Sequence, residues 1–223
     1  MVVRISDIGI SGKPCFIIAE VGVNHNGRLD IALNMIDTAV QCGVDAVKFQ
    51  TFTPELLVSP LAEKAEYQKE TTGQGGSQLD MLRQLMLPES AWPILKHKCD
   101  MEGVVFLSTP FSEYDADLLE TVNIEAYKIP SGEITNLPYL KHIAKKGKPI
   151  ILSTGMSNEV EVLEGVNCIM RSDGKIAAIL QCTSNYPAKT EDANLRAMTR
   201  MGKELLLPYG YSDHTPTNLS ALL

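Results

Sequence analysis

Seven short runs of β-type apolar residues alternate with amphipathic stretches along the chain, and this alternation limits the possible folds more than any other feature. The runs are Cys15 to Val21, Ala46 to Gln50, Val104 to Ser108, Ala126 to Ile129, Ile150 to Thr154, Ala177 to Cys182 and Pro208 to Ser212. Between them the spacing predicts helices over Arg28 to Gln41, Ser90 to Met101, Tyr114 to Thr121, Leu137 to Lys145, Glu159 to Arg171 and Asp192 to Met201. The first carries Leu29, Ala32, Leu33, Ile36, Ala39 and Val40 at helical period, so one face can lie on a sheet. Strand and helix in strict alternation favour parallel strands joined by right-handed crossovers. A chain of 223 residues is long enough for one such α/β core and short for two.

Nearly every predicted strand ends in polar or reactive side chains. In order these are Glu20, Lys48 with Gln50, Ser108 with Thr109, Lys128 with Ser131, Ser153 with Thr154, Thr183 with Ser184, and Asp213 with His214. A closed parallel barrel gathers such positions at one mouth, whereas a doubly wound open sheet concentrates ligand groups at a single switch point. The expected fold is therefore an α/β (β/α)8 TIM barrel, incomplete because seven strands are present, with the open sheet as the alternative. After His214 only Thr215 to Leu223 remain, enough to start a seventh helix, so the chain reads as part of a longer protein. The stretch Phe52 to Leu87 is far longer than a usual βα loop and is expected to be functional or a lid. Gly73, Gly75 and Gly76 are its hinge candidates, Ser77 to Leu87 looks locally helical, and Pro88 is placed to open the next helix.

Composition removes several classes of function. A net charge of −7 with no basic stripe argues against a nucleic-acid surface, so any anionic ligand must be held by a few local cations. No apolar run is long enough to span a bilayer, and Met1 to Ser11 lacks the features of a secretory signal, which makes the cytoplasm the expected location. The five cysteines, Cys15, Cys42, Cys99, Cys168 and Cys182, have no paired spacing and read as reduced, mostly packed thiols.

Seven blocks at the strand ends carry a resemblance. They are Ala19 to Gly27 (AEVGVNHNG), Val47 to Thr51 (VKFQT), Ser108 to Phe111 (STPF), Tyr127 to Glu133 (YKIPSGE), Leu152 to Met156 (LSTGM), Cys182 to Pro187 (CTSNYP) and Tyr211 to Thr215 (YSDHT). In this order they resemble the N-acetylneuraminate (sialic acid) synthase family, which includes the legionaminic acid synthases. The resemblance covers essentially the whole chain but only the first two thirds or so of a family member. It implies that residues 1–223 form a partial barrel domain without the eighth strand, and that the C-terminal antifreeze-like domain is absent. It further implies a transferase of carbohydrate biosynthesis that condenses phosphoenolpyruvate with N-acetylmannosamine or a related N-acetylated amino sugar. The product is a nine-carbon 2-keto acid plus phosphate, and the full-length protein is expected to be a homodimer.

A site for phosphoenolpyruvate must hold a phosphate and a carboxylate together, which takes cations and neutral donors. Lys48 and Lys128 supply the cations, and Thr109, Ser131, Ser153 and Ser184 supply hydroxyls. Backbone amides near Ser131-Gly132 and Thr154-Gly155 can add donors. By resemblance these are the family's ligands for that substrate, while Gln50, Glu133 and Tyr186 lie near the amino sugar. Glu20 and Glu133 are the expected acid/base pair, Glu20 foremost. The family binds a divalent ion, manganese or magnesium, and the resemblance makes His214 a metal ligand. His25 is expected to position its loop, and His97 and His142 to be structural. Two rivals remain: a Schiff-base aldolase using Lys48 or Lys128, and an inactive sugar-phosphate-binding remnant.

Overall fold

The computed structural model describes residues 4–5, 8–9, 15–65, 68–70, 73 and 75–216. The chain divides into two compact units, one formed by Phe16–Glu125 and the other by Met1–Cys15 with Ala126–Leu223. Among the described residues no helix is long and apolar enough to cross a membrane.

In the unit Phe16–Glu125, three parallel strands lie in the order β3 (Ile18–Gly22), β4 (Ala46–Thr51) and β5 (Val105–Pro110). Helix α1 (Leu29–Gln41) follows β3 and buries Ala32, Ile36 and Ala39, the face that the helical period marks out. Strand β5 is buried along its whole length, as befits a strand covered on both faces. Phe49 forms the centre of this core, its ring 5.8 Å from Phe106 and meeting Trp92 edge-on at 6.4 Å. Between β4 and helix α4 (Ala91–Glu102) the chain forms α2 (Pro54–Leu57) and α3 (Gln78–Leu85). Ser77 and Asp80 close a reciprocal capping box that starts α3 where a local helix is expected. Phe52, Met81 and Leu82 make a small core of their own beneath this insertion. The buried Lys64 ammonium donates to the carbonyls of Gly75 at 2.6 Å and Gly73 at 3.2 Å, so these hinge candidates are tied down. Glu66 and Tyr67 of the same loop lie outside the described residues. Pro88 does not open α4: its carbonyl accepts from Ala91 N–H in a turn, and the helix begins at Ala91. Helix α5 (Glu113–Thr121) ends the unit, its N-cap Ser112 accepting from Asp115 N–H.

In the other unit, β1 (Arg4–Ile5) and β2 (Ile8–Gly9) pair antiparallel. Four parallel strands follow in the order β6 (Tyr127–Ile129), β7 (Pro149–Ser153), β8 (Lys175–Cys182) and β9 (Tyr209–Ser212). They alternate with α6 (Leu137–Lys145), α7 (Glu159–Arg171) and α8 (Leu195–Leu205). Asn136 and Asn158 cap the first two of these helices, the second through a capping box with Glu161. Helix α8 starts later than its period suggests because Thr190–Asp192 forms a 3-10 turn and Asn194 is left-handed, at φ 49°. The start of a further helix expected after Thr215 falls on 217–223, outside the described residues. Parallel strands in regular alternation with helices give the α/β class of a (β/α)8 barrel, with the seven expected strands present.

Candidate functional site

The unit Phe16–Glu125 brings four of the expected residues together. Register places Glu20 opposite Lys48 and Gln50 opposite Thr109, and Lys48 and Gln50 are two apart on β4, so they share a face. Lys48 forms a close ion pair with Glu20 and donates to Thr109 Oγ1 at 3.3 Å. The pair is asymmetric: the Lys48 side chain is 8% exposed and that of Glu20 43%. Gly22, with φ +55°, keeps the space beside it open, since a Cβ there would lie 3.2 Å from Glu20 Oε1 and 3.6 Å from Gln50 Nε2. Ser108 belongs elsewhere, because its hydroxyl is buried against Thr51 Oγ1 at 2.7 Å.

His25 is buried in the turn that follows β3. Its Nδ1 accepts from Gly27 N–H at 3.1 Å, which puts the ring proton on Nε2, and that nitrogen has no hydrogen-bond partner among the described residues. Burial pushes this imidazole below its ordinary value and the Gly22 carbonyl opposes the shift, so the ring is a neutral brace for the turn, as expected. His97 and His142 lie in α4 and α6, where the sequence places them as structural residues.

The other unit holds a second set. Lys128 on β6 is buried, and Ser153, at the end of β7, is 0% exposed with an unpartnered hydroxyl. Ser184 likewise has a buried hydroxyl without a partner. Ser131 Oγ accepts from Gly155 N–H at 2.9 Å. Gly155 admits no side chain, since a Cβ there would lie 2.5 Å from Ser184 Oγ and 2.9 Å from both Ser131 Oγ and the Cys182 carbonyl. The expectation that amides of Thr154-Gly155 are open donors is corrected: Thr154 N–H is spent on the Leu180 carbonyl and Gly155 N–H on Ser131. Thr183 also turns away, donating to the Asp192 carbonyl. Glu133 stands in a 3-10 turn (Ser131–Glu133), its carboxylate accepting from Asn136 Nδ2 at 2.7 Å. Tyr186 is 56% exposed, with its ring 4.7 Å from that of His214.

His214 Nδ1 lies 2.8 Å from the Thr183 carbonyl, which can only accept, so the lone pair belongs to Nε2. Cys182 Sγ is 3.9 Å from both ring nitrogens. His214 is held above its ordinary value chiefly by Cys182, with burial and Lys128 opposing and the Thr183 carbonyl assisting. Burial raises the Cys182 thiol, but His214, Ser131 and Ser212 outweigh it and the net shift is downward. Sequence reasoning took Cys182 for packing, and its position one residue before Thr183-Ser184 at a strand end was the available signal. Cys99 does behave as a packed thiol, pushed up to about 12 by burial. One imidazole lone pair does not complete a divalent-metal site, which takes several oxygen or nitrogen ligands, and no group of three His, Cys, Asp or Glu occurs among the described residues.

Residues 35–223 match the NeuB family. The chain belongs to the NeuB family. Its NeuB relatives include the N,N'-diacetyllegionaminic acid synthase of Legionella pneumophila, 46% identical over 209 residues, covering 92% of this chain and 59% of that protein. The enzyme of the same description from Campylobacter jejuni is 46% identical over 205 residues, covering 91% and 61%. The chain thus spans about six tenths of the length of these curated NeuB relatives. Among solved structures, the N-acetylneuraminic acid (sialic acid) synthetase from Leptospira borgpetersenii, crystallised with citrate, superposes with a TM-score of 0.87. It is 29% identical, and the match covers 100% of this chain and 73% of that one.

Proposed function

We propose that this NeuB-family chain serves a synthase that condenses phosphoenolpyruvate with an acetamido sugar to give a nine-carbon 2-keto acid and phosphate. The observation that carries the reading is the chemistry of the strand ends. Buried ammonium groups at Lys48 and Lys128 stand with Thr109 and with the unpartnered hydroxyls of Ser153 and Ser184, the donor types an enol phosphate with a carboxylate requires. Lys48 and Lys128 act as the cations, and Thr109, Ser131, Ser153 and Ser184 as the neutral donors. Gln50, Glu133 and Tyr186 serve the amino sugar.

In the reaction, C3 of phosphoenolpyruvate attacks the aldehyde carbon of the open-chain sugar and the aldehyde oxygen takes a proton. Water adds at C2, and the tetrahedral intermediate expels phosphate by C–O cleavage, leaving the 2-keto acid. Glu20 is the residue proposed to move these protons, since its carboxylate is the exposed member of the Lys48 pair. The described residues do not complete a metal site, and no step is routed through one. Because two relatives are named as N,N'-diacetyllegionaminic acid synthases, the preferred acceptor is a sugar with two acetamido groups and N-acetylmannosamine is the alternative.

The test is mass spectrometry of products formed from phosphoenolpyruvate labelled with oxygen-18 at the bridging position, with each candidate sugar in turn. The expected result is a 2-keto acid of the sugar's mass plus three carbons, with the label in phosphate. Label retained in the sugar acid excludes the proposed cleavage, and pyruvate trapped on a lysine by borohydride returns the aldolase reading.

A further inference from the structure

We infer that Lys48 exchanges partners on ligand binding: an anionic ligand takes its ammonium from Glu20, and the Glu20 carboxylate is released only when that ligand is in place. The inference rests on the reading of Lys48 as an anion ligand and adds to it the state of the site before the anion arrives.

Lys48 lies between Val47 and Phe49, both 0% exposed, so its ammonium is fixed in an apolar strand. Among the described residues its polar partners are Glu20 and Thr109. Thr109 is neutral and buried, leaving Glu20 as the counter-charge. A buried ammonium stripped of its only anion is strongly disfavoured, so Glu20 can leave only if another anion replaces it. The two partners differ in what awaits them when the pair opens. Lys48 has no water to turn to, whereas Glu20 is close to half exposed and its carboxylate can be hydrated. Glu20 is therefore the mobile member and Lys48 the fixed one. The gap beside Gly22 gives the carboxylate room to move, and Gln50 Nε2 borders that gap as a neutral donor. Glu20 thus occupies an anion's place in the empty chain, and its proton-moving role begins when the ligand displaces it.

The experiment is titration calorimetry of the full chain with phosphoenolpyruvate and, separately, inorganic phosphate. It compares wild type with Glu20→Gln, Glu20→Asp and Lys48→Met, with melting curves to confirm that each variant folds. Glu20→Gln removes both the charge and the competitor. Glu20→Asp keeps the charge but is one methylene too short to hold Lys48. Exchange predicts tighter anion binding in both Glu20 variants, by about tenfold for a pair of this exposure, and loss of binding in Lys48→Met. Tightening in Glu20→Gln alone reflects simple repulsion and overturns the exchange, as does equal affinity in all three Glu20 forms or binding that survives in a folded Lys48→Met. If inorganic phosphate follows the predicted pattern while phosphoenolpyruvate binds to no form, the proposed reaction fails and the exchange stands. Failure of both anions to bind wild type and the Glu20 variants overturns the two together.

Discussion

His25 shows how a single buried side chain can set a response to pH. The ring is 1% exposed, accepts from Gly27 N–H and has no partner for Nε2, so adding a second proton inside the fold is opposed mainly by desolvation. Its value in the native chain lies below that of the unfolded one, and below about pH 6.5 the unfolded chain takes up a proton that the native chain resists. Stability is unaffected by this group above that range and falls as the pH drops through it. His214 acts with the opposite sign: its raised value gives stability that is present at low pH and lost as the pH rises through the native value. Replacing His25 with Gln keeps an acceptor for Gly27 and removes the titration. Between about pH 7.5 and about pH 5.5, the variant is expected to lose less melting temperature than wild type, a difference that thermal denaturation at the two values measures. Equal losses would place the acid sensitivity elsewhere. At this scale the sequence was informative where strand geometry alone decides. Lys48 and Gln50 share a face because they are two apart, and Glu20 meets Lys48 because parallel register aligns them. It was silent where a distant partner decides, as when Ser108 is drawn to Thr51, Gly155 N–H to Ser131, and Cys182 to His214.

Among the elements, periodicity succeeded in proportion to length. Helices Leu137–Lys145 and Glu159–Arg171 begin and end where their apolar spacing places them, because each is long enough to show a face and carries an Asn cap. Pro54–Leu57 and the paired strands Arg4–Ile5 and Ile8–Gly9 are too short to establish a period and went unseen. Helix α8 was shifted at its start by a 3-10 turn, a conformation that hydrophobic spacing does not encode. The same helix offers a packing test. Gly202 is its one buried residue, and a Cβ there would lie 2.0 Å from Tyr209 Cδ1 on β9. Gly202→Ala should therefore push α8 off β9 and cost about 1–3 kcal/mol, more than the helical propensity gained by removing a glycine. Gly132, with nothing within 4 Å of its Cβ position, is the control. Chemical denaturation should show a lowered midpoint for Gly202→Ala and little change for Gly132→Ala. An unchanged midpoint for Gly202→Ala would mean that the helix can move aside without loss.

For the molecule as a whole, charge and fold class point in different directions. Fold class was legible in the alternation of apolar runs, but many reactions use such an architecture, so the reaction rests on the residues at the strand ends. The net charge of −7 works against any anionic substrate at long range. Attraction must then come from individual cations, and the two proposed for this role, Lys48 and Lys128, are each less than a tenth exposed. Surface lysines lose their hold on an anion as salt screens them, whereas buried charges are screened far less. Raising ionic strength also weakens the repulsion from the rest of the chain, and this partly offsets any loss at the site. Between about 0.05 M and about 0.3 M salt, the Kd for phosphoenolpyruvate should therefore change by less than about threefold. Titration calorimetry across that range in a non-coordinating salt makes the comparison directly. A loss of affinity much steeper than this would mean that exposed lysines, and not the two buried ones, are what hold the anion.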